Sequence, residues 1–267
     1  MNLGIMTSLV DQEAAILLGE VLDAISSGFI PNAQIQFVFT DREENFRRNP
    51  TVFRKLEEGE IPLISKSSWH LRQLIRAKEA DRKIRNEREK FDRGAFQIMS
   101  RVGNPDVVIL LGYMLVISPW LCQKLPLLNL HPDIPGRHKG EVGKVIKEIV
   151  SRRNKSAGAM IHLVSQELDG GRPISYFKFS LEGDGYEDLW RDPRRRIWLE
   201  QRIRMDEFRR EIPLVLYTLK SISQGYIVIR QGEVHIIEGG KFVELTNGLC
   251  VNLSYAVNCY LARKMSD

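Results

Sequence analysis

No apolar run in this chain is long enough to cross a bilayer. The longest, VVILLGYMLVI at 107–117, is little more than half of the about 20 residues a spanning helix needs. The N-terminus reaches Asp11 without a lysine or arginine, so the basic start of a secretory leader is missing as well. Cysteine is scarce: Cys122, Cys250 and Cys259 are odd in number and no two stand at a metal-ligand spacing. A disulfide scaffold and a zinc site are therefore not expected, no metal is expected, and a reducing cytoplasm fits best. Internal repeats and low-complexity segments are also missing.

What is present is ordinary for a globular protein, with 267 residues of which 43% are hydrophobic and 27% charged. One main domain with an extension is the default reading. The net charge of +5 is unevenly placed, with Arg and Lys gathered at 42–101 and again at 191–210. Glu and Asp are interleaved there at spacings of three and four, the pattern of solvated helical faces; a surface attracting an anionic substrate is the other reading.

The run LGIM at 3–6 reads as a strand, and Ala14, Leu17, Leu18, Val21, Leu22 and Ile25 then recur on one face of a helix that starts near Asp11 and ends near Gly28. With IQFVF at 35–39 as the next strand, this is a βαβ unit of a parallel sheet. A further apolar run, IPLI at 61–64, precedes a charged segment, 69–102, that reads as one or two long surface helices. DVVILLGYM at 106–114 has the continuous apolar character of a strand buried on both faces, and is placed at the sheet centre. A short helix after Pro119 leads to another buried strand, LPLLNLHP at 125–132.

Beyond it the pattern predicts a helix over 140–153, strands at 159–164 and 173–180 around the turn ELDGG, and a long Arg-rich helix over 186–223, broken near Pro213. A hairpin at 226–237 turning at Gln231-Gly232 and a closing helix over 255–264 complete the reading.

In open α/β sheets ligands gather beyond the carboxyl ends of strands, which is where LPLLNLHP delivers Asn129 and His131. Two residues apart on extended chain, their side chains share one face. Asp169 follows about forty residues later. An amide, an imidazole and a carboxylate form a competent set for acyl transfer to an amine: a donor for the developing oxyanion, a proton-bearing group and a base. No nucleophilic Ser or Cys is needed, because the attacking amine belongs to the substrate. A satisfied core Asn and His beside an exposed turn Asp is the structural alternative.

PDVVILLGYM at 105–114, NLHPD at 129–133 and AGAMIHLVSQELDGG at 157–171 together resemble the phosphoribosylglycinamide formyltransferases and related folate-dependent formyltransferases. The likeness is good over about 100–180, and over 1–40 only in outline. It implies an α/β, Rossmann-like formyltransferase fold with a mostly parallel central sheet in a catalytic domain over 1–182; the helical and hairpin C-terminal extension over 183–267 is read from the residue pattern and matches nothing in that family. It implies 10-formyltetrahydrofolate as co-substrate, a small-molecule primary amine as acceptor, and a place in one-carbon metabolism, with glycinamide ribonucleotide of purine biosynthesis as the default. By position, Asn129 and His131 would polarise the formyl carbonyl, and Asp169 would orient His131 and accept protons. Met114, Leu115, Val116 and Ile117, with Gly170 and Gly171, would form the pterin pocket. Thr7, Ser8, Pro132, Asp133 and His162 would lie near the acceptor.

The chain also departs from that family. The loop Met6-Thr7-Ser8-Leu9-Val10-Asp11 has no glycine where the family cradles a phosphate, and Asp11 brings a negative charge. Leu115 stands where the family usually has Arg, and Asp133 adds a carboxylate that either binds a cationic acceptor or disturbs His131. His138 and Lys139 read as a solvated loop or as a contact for an anionic acceptor. The tail after 181 covers the site, forms a homodimer surface or contacts a larger acceptor. An amino-sugar acceptor, hydrolysis of the folate by water, and a folate-fold binding module without catalysis are the alternatives; nucleic acid is not the expected partner.

Overall fold

The first apolar run forms β1 (Asn2–Thr7), and α1 (Gln12–Ser26) begins where the Asp11 carboxylate accepts the Ala14 amide. A carboxylate at that cap satisfies an amide the helix start leaves open and complements the helix dipole. The face of α1 carrying Leu17, Leu18, Val21 and Leu22 is buried. β2 (Gln34–Thr40) pairs parallel with β1, completing the expected βαβ unit. Two helices not expected from the sequence, α2 (Glu43–Arg47) and α3 (Pro50–Glu58), lead to the short edge strand β3 (Leu63–Ser65). They are short, and only Phe46, Val52 and Leu56 of them are buried, so their apolar period is faint.

The ionic segment forms two helices, α4 (Trp69–Arg76) and α5 (Asp81–Val102). β4 (Val107–Leu110) is buried at every position and lies between β1 and its other neighbour, but it is shorter than the apolar run. The chain leaves the sheet at Gly112, whose φ is +62°, and a Cβ there would stand 2.5 Å from that of Ala14. Only glycine permits both the left-handed turn and that approach of α1. α6 (Pro119–Cys122), β5 (Leu127–His131), α7 (Val142–Ser151), β6 (Ser156–Leu163) and β7 (Pro173–Ser180) follow.

The C-terminal part contains α8 (Tyr186–Arg191), a 3₁₀ turn at Pro193–Arg195, α9 (Arg196–Ser223), β8 (Ile227–Arg230), β9 (Glu233–Glu238), β10 (Lys241–Glu244), β11 (Val251–Asn252) and α10 (Ser254–Lys264). The computed structural model describes residues 1–183, 185–230, 232–238, 241–245 and 250–264. Gln231, expected at the hairpin turn, lies outside them; its neighbour Gly232 has φ +81° between the antiparallel β8 and β9.

The eight-stranded sheet has the order β11-β7-β6-β5-β4-β1-β2-β3, and β6 is the one described strand in it that runs against its neighbours. β8, β9 and β10 form a separate small sheet. This is the expected mostly parallel architecture with a helical and hairpin extension. One apolar core joins the sheet to α1, α3, α9 and α10, and the opposite core joins it to α4, α5 and α6.

α9 does not break at Pro213, contrary to expectation. The missing proline amide costs a helix about 3 kcal/mol. Leu214, Val215, Leu216 and Leu219 are nonetheless all buried against the sheet, and each such side chain contributes about 1.5–3 kcal/mol. Tertiary burial therefore outweighs the local penalty.

Candidate active site

β5 ends at His131, and antiparallel pairing with β6 sets Asn129 opposite His162. The Asn129 Nδ2 lies 3.2 Å from His162 Nε2, and His162 Nδ1 lies 2.8 Å from the Leu163 carbonyl. A carbonyl only accepts, so Nδ1 bears the proton and Nε2 accepts the Asn129 N–H. Burial, the largest effect, lowers the His162 pKa below its ordinary value and keeps the ring neutral, consistent with that tautomer. His162 thereby fixes which end of the Asn129 amide is nitrogen. One further N–H and the carbonyl oxygen remain on Asn129.

His131 is buried, and its Nε2 donates to the His138 carbonyl at 2.9 Å. Its Nδ1 faces Asp169 Oδ1 at 3.6 Å, close beside it but longer than a hydrogen bond. Asp169 Oδ2 accepts the Gly140 amide at 2.9 Å, anchoring the carboxylate between two loops. Asn129, His131 and Asp169 thus converge, and His162 joins them as the residue that orients the amide.

The turn around Asp169 corrects the expectation for its glycines. The left-handed residue is Asp169 itself, with φ +50°, and Gly170 and Gly171 are not left-handed. A Cβ on Gly171 would stand 1.6 Å from the Leu163 oxygen, so glycine is required there for chain packing. Neither glycine lines the cavity described below.

Met114, Leu115, Val116 and Ile117 all do, in the loop after β4. Met114 is 49% exposed and Val116 46% exposed, while Leu115 and Ile117 are rooted in the core. Thr7 and Ser8, expected to meet the acceptor, are buried and work on this loop instead. Ser8 Oγ donates to Asp41 Oδ1 at 2.5 Å and accepts the Met114 amide at 2.9 Å, and Thr7 Oγ1 accepts the Leu9 amide. The Ser8 hydroxyl is thus occupied within the protein and holds the cavity wall at Met114 in place, while Thr7 braces the turn at Leu9.

Asp133 is buried too and faces away from the cavity. Its Oδ1 accepts Arg137 Nε at 2.7 Å, and its Oδ2 lies 2.6 Å from His138 Nδ1 and accepts the His138 amide. It organises the turn that aims the His138 carbonyl at His131, so it neither meets an acceptor nor disturbs the imidazole. His138, read as part of a solvated loop, is buried by this contact. Pro132 does line the cavity.

The cavity has a volume of about 560 Å³ and runs from the Asn129 and His131 side chains to the start of α1. At that far end α9 supplies Arg204 and Glu211, facing Asp11 and Glu13. Arg204 Nη2 donates to Glu13 at 2.5 Å, and its Nη1 donates to Glu207 at 3.0 Å and to Glu211 at 2.6 Å. Burial acts first to lower the Arg204 pKa, but these carboxylates overcome it and raise it. Glu207 is raised well above the ordinary glutamate value by burial and by Glu211, against the pull of Arg204. The sequence reading missed this cluster, although 204, 207 and 211 have the spacing of one helix face. Elsewhere Glu233, His235 and Glu244 bring ligand atoms within 4.8 Å of one another on the small sheet, where Glu244 is also paired with Arg172.

The model of the formyl transferase family matches residues 17–182. A phosphoribosylglycinamide formyltransferase of Dictyostelium discoideum is 23% identical over 166 residues, 59% of this chain and 74% of that protein. Other curated relatives are matched over less than half of their own length. The glycinamide ribonucleotide transformylase 1 of Symbiobacterium toebii superposes with a TM-score of 0.62 at 20% identity, over 89% of this chain and 94% of that one. A formyltetrahydrofolate deformylase of Pseudomonas putida gives a TM-score of 0.58 at 18% identity, over 88% of this chain and 69% of that one.

Proposed function

The chain belongs to the formyl transferase family, and we infer that it moves the formyl group of 10-formyltetrahydrofolate to a primary amine at Asn129, His131 and Asp169. The observation that carries this reading is the convergence of those three side chains on one cavity with a partly apolar wall. A volume of about 560 Å³ falls in the range of small-molecule sites. The apolar surface of Met114, Val116 and Leu168 suits a flat pterin-like ring, with loop backbone to supply polar contacts.

In the reaction a bond forms between the amine nitrogen and the formyl carbon, the bond from that carbon to N10 breaks, the amine loses one proton and N10 gains one. Asn129 donates its remaining N–H to the formyl oxygen as negative charge develops there. His131, held by the His138 carbonyl at Nε2, presents Nδ1 beside the same place. Asp169, beside His131, takes the proton released by the amine and returns it toward N10. All three groups are set before substrate arrives, so little reorganisation is needed during the step.

Glycinamide ribonucleotide is the acceptor its relatives' names support, and the first to try. The test is loss of 10-formyltetrahydrofolate and appearance of a formylated amine, with the wild type and with His131→Ala. Amine-dependent turnover that the variant loses supports the reading. Formate release without any amine would instead assign hydrolysis, the activity named for the Pseudomonas putida neighbour. A folded protein that consumes no donor would refute both.

A further inference from the structure

The end of the cavity away from His131 is acidic. Asp11, Glu13 and Glu211 line it, and Arg204 is the one Arg or Lys side chain among its described lining residues. The five N–H groups of that guanidinium are already engaged. Nε donates to Glu13, Nη1 to Glu207 and Glu211, and Nη2 to Glu13 and Glu211. Arg204 therefore offers nothing to an incoming anion. Behind it, Glu207 Oε1 is fully buried without a hydrogen-bond partner among the described residues, so Arg204 has no donor left even for the acidic groups around it.

Most of the backbone amides around the start of α1 are also engaged. A helix start binds phosphate through free amides at its positive end. Here Ser8 N–H donates to the Gly112 carbonyl, Leu9 N–H to Thr7 Oγ1 and Ala14 N–H to the Asp11 carboxylate, and the remaining first-turn amides, Gln12 and Glu13, are flanked by the Asp11 and Glu13 carboxylates. A phosphate placed here would meet Asp11 and Glu13 at close range, whereas a second ammonium group would meet carboxylate oxygens with unused lone pairs. Glu13 is accessible enough to serve, with 39% of its side chain exposed.

We propose that the acceptor is a primary amine carrying a second protonated nitrogen and no phosphate, a diamine or diamino sugar, recognised by Asp11 and Glu13. This rests on the formyl-transfer reading above and names the substrate class of the same site. The recognising charges lie on α1 and face α9, where Glu211, which also lines the cavity, reinforces their sign.

The test compares putrescine, deoxystreptamine, glucosamine and glycinamide ribonucleotide as acceptors for the full chain, following loss of 10-formyltetrahydrofolate and identifying the product by mass. Putrescine or deoxystreptamine should exceed glycinamide ribonucleotide in kcat/KM by about 10-fold or more. Asp11→Asn, which keeps the helix cap, and Glu13→Gln should each raise the diamine KM about 5- to 10-fold with little change in kcat. Preference for glycinamide ribonucleotide, or a diamine KM unmoved by both substitutions, overturns the proposal while leaving formyl transfer intact. Formate release at one rate with and without amines overturns it as well. Absence of donor loss in every arm would instead defeat the formyl-transfer reading itself.

Discussion

Asn129 can act as an oriented donor only while His162 Nε2 keeps its lone pair. Protonating His162 would set two N–H groups against each other and push the amide to flip or withdraw. Because burial lowers the His162 pKa below the usual 6.5, the present arrangement persists at neutral pH and is lost as pH falls through that lowered value. His162→Gln offers an acceptor oxygen that does not titrate, so its kcat profile should fall less steeply in acid. Superimposable profiles of the two proteins would remove His162 from the account. Asn129→Ala should lower kcat by about 10²–10³ through loss of an oxyanion donor, measured by steady-state donor consumption.

Asp133 acts through the chain instead of on a ligand. Its bonds to Arg137 and His138 hold the carbonyl that receives His131 Nε2, so Asp133→Ala should release the imidazole from its set position. The expected result is a fall in kcat of about 10- to 100-fold with the donor KM nearly unchanged. An equal loss in folded fraction and in activity would reduce Asp133 to a stabilising residue. NLHPD marked Asp133 as adjacent to the site but not its direction, because a side chain at a strand end turns with the backbone that follows. The convergence of Asn129 and His131 was legible, since period two on a strand fixes a common face. The nearness of Asp169 was legible only through resemblance, because about forty residues separate it from His131.

At the scale of elements, β1, α1, β2, β4, β5 and α7 were readable because each repeats its apolar residues over enough length to define a face. β10 and β11 were not, and β11 is a two-residue strand whose existence depends on the neighbouring β7 edge. α9 shows the opposite failure, a local breaker overruled by burial. Its docking on α1 has a charge of its own to settle. Glu207 is raised above the usual 4.5 chiefly by burial, and a group with a raised native pKa favours folding below its unfolded value and loses that contribution as pH rises through the native one. Glu207→Gln leaves an oxygen for Arg204 and removes the titration. Its Tm relative to wild type should therefore increase between about pH 5 and about pH 8. A constant difference across that range would show that Glu207 does not titrate in the folded state.

At the scale of the whole molecule, the family match ends at residue 182, but the fold does not. α9 contributes Leu214, Val215, Leu216 and Leu219 to the core that α1 and the sheet share, and Val257 of α10 joins them. Burying those four α9 side chains supplies at most about 6–12 kcal/mol, comparable with the entire stability of a typical domain. The same helix brings Arg204 and Glu211 to the cavity wall, so residues beyond the match complete the acceptor end. A chain ending at 182 should consequently show no cooperative thermal transition and should expose the apolar face of α1, bind a hydrophobic dye and consume no donor. If that fragment instead melts cooperatively near the full chain's Tm, the segment after 182 is an accessory layer, and the acidic cluster on α9 acts on acceptor choice alone.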